Sequence, residues 1–404
     1  ATTSVMNRKK PASLHASDQP LLDLCLALKQ SGCIVEDRYW ENLIQTSLLD
    51  IFKQNRKKTV ERLLDHLSDS DSETHDILLE NAETLSESCE WIHDGVTYDC
   101  VFVAIPVIAW TRFEIPLPIL DGPAQLALSK LLGQHIAASD VRMAIHPQIL
   151  SVDQMPRSFT GVFQWMMAIT GKVFGTQVRS GVPVDDLSED MQLMSDSRFV
   201  LAAFCTPKGQ AVFRWQQAQG PFSEQRQACL DNWRIVAAPL FQKLLPACGI
   251  ELMLPDAFYI ANRQADKRIR YAAITAATQW LQTVFDTTPD AFRATVGLYQ
   301  DDALREIRIG FTLLQSHEVI YGCLWPVFPD ETEDQQLETI NDFAQLNTLL
   351  DHLQNNGIRH ITCLKEVLDG SSDVSDEPLF PNPAGELMPV MMPDVSEDPI
   401  GRFH

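Results

Sequence analysis

Ten consecutive residues, Val101-Phe102-Val103-Ala104-Ile105-Pro106-Val107-Ile108-Ala109-Trp110, carry no charge and no side-chain amide. Such a run, entered through the Asp94-Gly95 turn signal, reads as a largely buried strand that Pro106 bends or ends. A strand this apolar needs covering layers, and the rest of the chain is rich in amphipathic helical pattern. The fold class expected is therefore α/β (α+β). With 404 residues, 45% of them hydrophobic, the chain has material for more than one core at roughly 100–200 residues per domain.

Residues 1–17 are expected to be a flexible N-terminus and 18–92 a helical layer, because Leu21, Leu22, Cys25 and Leu28, then Leu43, Ile44, Leu48, Ile51 and Phe52, recur at three- and four-residue spacings. Ser72 suits the cap of a further helix. A first α/β unit spans 93–195: the apolar strand, a helix opened by Asp121-Gly122-Pro123, a strand over 141–145 and a helix over 163–173. The same order returns over 196–290, with strands at 198–204, 211–215 and 249–254 and a helix ending near Leu245. A third, diverged pass over 291–366 has strands at 295–299, 306–311 and 319–324 and a helix over 336–354. Gly357-Ile358 stands there where Gly249-Ile250 stands before, and glycine suits a helix C-cap ahead of a strand. This order also recurs in unrelated α/β proteins, so two or three similar units are expected while true duplication stays open.

Residues 367–404 form an acidic tail. From Glu366 onward there are nine acidic residues against Arg402, with recurrent Pro and Ser, which predicts an extended arm. Its apolar residues Phe380, Leu387, Met388, Met391 and Met392 are candidate partner-binding anchors.

The whole chain carries 32 basic and 54 acidic residues, a net charge of −22, which repels nucleic acid and anionic membrane at long range. Nucleic-acid binding would have to use Asn7-Arg8-Lys9-Lys10 and Asn55-Arg56-Lys57-Lys58, and the second is flanked by Asp50 and Glu61, as a solvated helix end would be. No apolar run reaches the ~20 residues of a bilayer span. No secretory pattern follows the first basic tetrad. Nine cysteines without a CxxC pair suit reduced thiols in the cytoplasm and give no metal-ligand spacing.

The P-loop, GxGxxG, HExxH and GxSxG signatures are absent from the sequence, so no cofactor is expected. Dispersed catalytic candidates remain at strand ends, namely His93, Asp99, His146 and Asp153. His146 and Asp153 would form a general-base pair if they faced one cleft.

Glu36-Asp37-Arg38-Tyr39-Trp40, His93-Asp94-Gly95-Val96-Thr97-Tyr98-Asp99, Ala109-Trp110-Thr111-Arg112 and Asp153-Gln154-Met155-Pro156-Arg157 resemble an uncharacterised betaproteobacterial family, the domain of unknown function 2863. The resemblance implies a cytoplasmic bacterial protein and carries over no activity and no site residues. The leading expectation is a non-enzymatic interaction or regulatory protein that uses its α/β surface and acidic tail toward a protein partner or a second copy. The alternative is an enzyme or small-molecule-binding protein with a site near His146 and Asp153.

Overall fold

The structure, a computed structural model, describes residues 14–68, 70–111, 114–176, 195–300, 305–331, 339–369 and 378–391. Four helices come first: α1 (Gln19–Lys29), α2 (Ile34–Lys53), α3 (Thr59–Ser68) and α4 (Ser72–Glu87). Their apolar stripes, among them Cys25, Ile44, Leu48, Leu63 and Leu78, are buried together, as the spacing predicts. The cap of α4 is Asp71 rather than Ser72. Its carboxylate accepts from Thr74 N at 3.1 Å and also holds Lys29 at 2.7 Å, so one side chain ends a helix and ties it to α1.

The strands β1 (Ser88–His93) and β2 (Val96–Trp110) form a hairpin, followed by α5 (Gly122–His135), β3 (Arg142–Ile145), β4 (Leu150–Ser151) and α6 (Phe159–Val173). The next run is β5 (Ser195–Pro207), α7 (Arg214–Gln217), α8 (Phe222–Leu244), β6 (Gly249–Leu252), β7 (Asp256–Ala257) and α9 (Phe258–Phe285). The segment expected as a strand over 211–215 instead enters the short helix α7. There Gln216 Oε1 accepts from the backbone of Val212 and Phe213, and Trp215 turns into the core.

These two runs build one antiparallel sheet and complete each other's edges. β2 and β5 pair along their length, Ile105 opposite Val200. The short strands β3 and β4 lie outside β5, whereas β6 and β7 lie outside β2 next to β1. The registers are related by a two-fold operation. Adding 107 to a residue of β3 and subtracting 95 from its partner in β5 turns Arg142–Cys205 into Gly249–Trp110, and Ile145–Ala202 into Leu252–Val107. The same shift carries the bond from His146 N to Leu201 O onto the bond from Met253 N to Pro106 O. Pro106, which has no N–H to donate, still serves the ladder through its carbonyl, so the strand continues through it.

Strand alternation sends Val103, Ile105, Val107 and Ala109 to one face, under α5 and α8 with Trp233 and Phe241, and Phe102, Ala104 and Ile108 to the other. That second face is covered by α6 and the first half of α9, and the N-terminal helices pack over these. Two carboxylates from that layer meet the equivalent helix starts. Glu61 accepts from Phe159 N at 3.1 Å and Glu87 from Tyr259 N at 2.9 Å, and the rings of Phe159 and Tyr259 sit 5.9 Å apart. A carboxylate suits the positive end of a helix, but burial outweighs this for Glu87 and pushes it up to about 7, with Glu83 and Asp256 raising it and Arg263 opposing them. A carboxyl whose folded value is raised contributes stability that is full below its unfolded value and is lost as pH rises through about 7. Urea midpoints should therefore fall between pH 5 and pH 8, and Glu87→Gln should flatten that part of the profile; an unchanged slope would refute the assignment.

α9 continues into a third core with Ile274, Ala277 and Leu281. The third pass of the chain forms its own five-stranded sheet, termed the third sheet, from β8 (Phe292–Gln300), β9 (Arg305–Leu313), β10 (Tyr321–Pro326), β11 (His360–Cys363) and β12 (Leu368–Asp369), with α10 (Leu346–Asn355) between β10 and β11. Strands β8, β9 and β10 are antiparallel, while β11 and β12 run parallel to β8 on its other edge. The expected helix over 336–354 is present only from Leu346. Ile340 and Phe343 reach the core from a short 3-10 turn and the residue after it, and 332–338 lie outside the described residues. Gly357 has φ +88 after α10, as a helix C-cap requires. Gly249 is small for another reason: a Cβ there would enter the Trp110 indole.

Candidate interaction site on the third sheet

One face of the third sheet is apolar and meets α9 and α10 through Val296, Leu298, Ile307, Ile309 and Phe311. Alternation gives the opposite face a different character, with Thr295, Gly297 and Tyr299 on β8, Glu306, Arg308, Gly310 and Thr312 on β9, and Gly322 on β10. Most of it is nevertheless buried. What covers it is a hairpin of the chain's own tail, β13 (Phe380–Pro381) paired with β14 (Leu387–Met388).

Two glycines make the fit. A Cβ on Gly310 would collide with the backbone carbonyl of Pro381 and one on Gly322 with the ring of Phe380, whereas one on Gly297 would lie 2.8 Å from Leu368 of β12, away from the hairpin. The hairpin is closed by Asn382, whose Oδ1 accepts from Ala384 N and Glu386 N at 3.0 Å each, while Gly385 takes φ +85. Asn, Pro and Gly in this order supply the local carbonyl mimic, fixed φ and positive φ that a tight turn needs. At its entry the hairpin is held by Arg308, which donates to Leu379 O at 2.9 Å, bonds Glu306 at 2.7 Å and lies 3.5 Å from the centre of the Tyr299 ring. At its exit Met391 N donates to Val319 O at 2.7 Å. Beside it a cavity of about 560 Å³ is lined by Leu364, Lys365, Glu366, Leu368, Ala384 and Leu387. The hydroxyls of Thr295 and Thr312 are buried on this face without a hydrogen-bond partner among the described residues.

The tail anchors expected from sequence thus have distinct places. Phe380 is 5% exposed and sits on Gly322 of its own chain, Leu387 and Met388 are half-buried, Met391 is 55% exposed, and Met392 lies outside the described residues. Sequence alone does not reveal the sheet residues that receive the hairpin, because it offers no register with which to align two separated glycines.

The strand-end candidates do not converge. His93 meets Asp94 at 3.2 Å in the hairpin turn. Asp99 accepts from Gly209 N at 2.8 Å. His146 is buried beside Trp165, its imidazole held down to about 4 by burial and by Lys172, and its Nδ1 has no partner among the described residues. Asp153 is at the surface in an ion pair with Arg157, so no bond joins it to His146. Asp153 instead lines an open cleft of about 840 Å³ together with Lys57, Lys58, Glu61, Asp65 and Arg157. The second basic tetrad is therefore interleaved with carboxylates, and the first lies outside the described residues. Among the described residues no group of three or more His, Cys, Asp or Glu side chains could hold a metal ion, and no helix is long and apolar enough to cross a membrane.

Fold and site together define a mixed α/β protein with an N-terminal helical layer, whose third sheet is occupied by its own tail. The chain belongs to the family described as Protein of unknown function (DUF2863), whose model matches residues 6–403. No curated protein and no solved structure matches it.

Proposed function

We propose that the protein is a non-enzymatic interaction protein with a regulatory or assembly role, and that the polar face of its third sheet is a docking groove for a short Leu-Phe-Pro-Asn segment. The tail fills the groove in cis, and the tail of a second copy is the occupant in trans. The observation that carries this reading is the glycine floor under Phe380 and Pro381, because close backbone approach with one buried aromatic anchor is how extended segments are recognised. Only eight residues separate Asp369 of β12 from Pro378 ahead of the hairpin, and so short a spacing favours occupation in cis through a high effective concentration. The reading places the protein in a reducing compartment such as the cytoplasm, consistent with nine unbridged cysteines.

A labelled peptide of residues 378–391 tests it. Phe380→Ala in the full chain weakens the cis hairpin and leaves the floor intact, so this variant should bind the peptide saturably by fluorescence anisotropy. Wild type should bind at least ~10-fold more weakly, since the peptide must compete with the tethered hairpin. A folded Phe380→Ala protein that ignores the peptide would reduce the hairpin to a fixed part of the fold.

A further inference from the structure

Nine cysteines look thinly scattered along the chain, yet the sheet gathers three of them. Cys89 on β1 is the register partner of Cys100 on β2, and Cys100 is the partner of Cys205 on β5. The three share one small cluster with Tyr98 and Phe174 at the end of α6, the last ring lying 4.9 Å from Tyr98 and 5.8 Å from Trp91. All are unbridged. Residues directly opposite in an antiparallel pair have Cα atoms about 4.5–5.5 Å apart, within the roughly 4.4–6.8 Å that a disulfide spans.

We propose that Cys89 and Cys100 form a reversible oxidation site, closing to a disulfide when the protein meets a two-electron oxidant of the peroxide class. Position selects this pair over Cys100 and Cys205. β1 is the terminal strand of the sheet and Cys89 is half-buried, whereas Cys205 is fully buried between β2 and β3. The Cys89 sulfur attacks a peroxide oxygen, the O–O bond breaks, and one water leaves behind a sulfenic acid. The Cys100 sulfur then displaces the second water as the S–S bond forms. Two electrons pass from the thiols to the peroxide, and the two waters carry off both thiol hydrogens.

The reaction is slow in the closed sheet. Hydrogen bonding to Cys100, and then burial, push the Cys89 thiol above its ordinary value, and thiolate is the reactive form. Release of the edge strand restores it, and exposed Cys33 serves as an internal reference.

Native full-length protein treated with hydrogen peroxide and digested without reduction should yield a linked Cys89–Cys100 peptide, appearing after Cys33 is oxidised. The link should persist in Cys205→Ser and vanish in Cys89→Ser and Cys100→Ser, with circular dichroism confirming that each variant is folded. Cys89→Ser, at a half-buried edge position, keeps the test valid if Cys100→Ser fails to fold. Complete oxidation of Cys33 without that link, or a link between Cys100 and Cys205 in its place, overturns the proposal.

Discussion

Gly310→Ala should release the tail hairpin. The added methyl falls on the Pro381 carbonyl oxygen, a backbone atom that cannot swing aside as a side-chain end can. Overpacking of this kind costs about 1–3 kcal/mol. Loss of Phe380 burial, worth about 1.5–3 kcal/mol for a large apolar side chain, follows if the hairpin leaves. Limited proteolysis with mass spectrometry should then show cleavage within 378–391 while the three apolar cores stay protected. The Gly297→Ala methyl meets the side chains of Leu364 and Leu368 rather than hairpin backbone and should leave the hairpin in place. Equal protection of the tail in Gly310→Ala and wild type would mean that the strands yield instead.

Arg270→Met should strongly destabilise the C-terminal half. The side chains of Arg270 and Glu331 are 3% and 4% exposed and form a two-bond fork at 2.8 and 2.9 Å. Arg270 also donates to Pro326 O at 2.7 Å and stacks on Trp325, while Glu331 accepts from Phe328 N and Gln345. Removing one member of a buried pair costs about 3–5 kcal/mol, whereas replacing both with apolar groups is often close to neutral. Arg270→Met with Glu331→Leu should therefore recover most of the lost urea midpoint; a double variant as weak as the single one would show that the hydrogen bonds to neighbours carry the stability. Burial raises the Glu331 carboxyl, but Arg270 and the other donors outweigh it and hold it below the ordinary carboxylate range. Its contribution is thus present above the unfolded carboxylate value and is lost as pH falls through the lower folded value.

Much of this architecture was legible in the chain. The helical layer shows because its apolar residues repeat on one face, and β2 and β5 show through their uncharged central runs, 101–110 and 199–205, where the sheet is covered on both faces. The long helix α9 does not announce itself in the sequence. Its buried face is largely alanine, at Ala261, Ala265, Ala272, Ala276 and Ala277, and Arg270 is buried among them, so the usual contrast of large apolar and charged residues is weak. The segment 211–215 resembles a strand because five residues, four of them apolar or aromatic, carry no periodicity that separates a strand from the start of a helix. The groove under the tail was invisible for a different reason. Gly310 and Gly322 are innocuous alone, and Thr295 and Arg308 look like solvent-facing residues until a distant segment covers them. The same holds for the three cysteines, whose adjacency exists only in the pairing of β1, β2 and β5.

The exchange of edge strands between the two halves of the first sheet also sets an order of events on the ribosome. β3 and β4 leave the exit tunnel before β5, the strand they border, has been made, and β2 waits for β6 and β7 until residue 257 has emerged. At about 5–20 residues per second, the nascent chain displays unpaired apolar edges for several seconds, a template for pairing with neighbouring chains. The helices α1 to α4 precede that interval, and α9, over which they pack in the finished fold, is made only after β7.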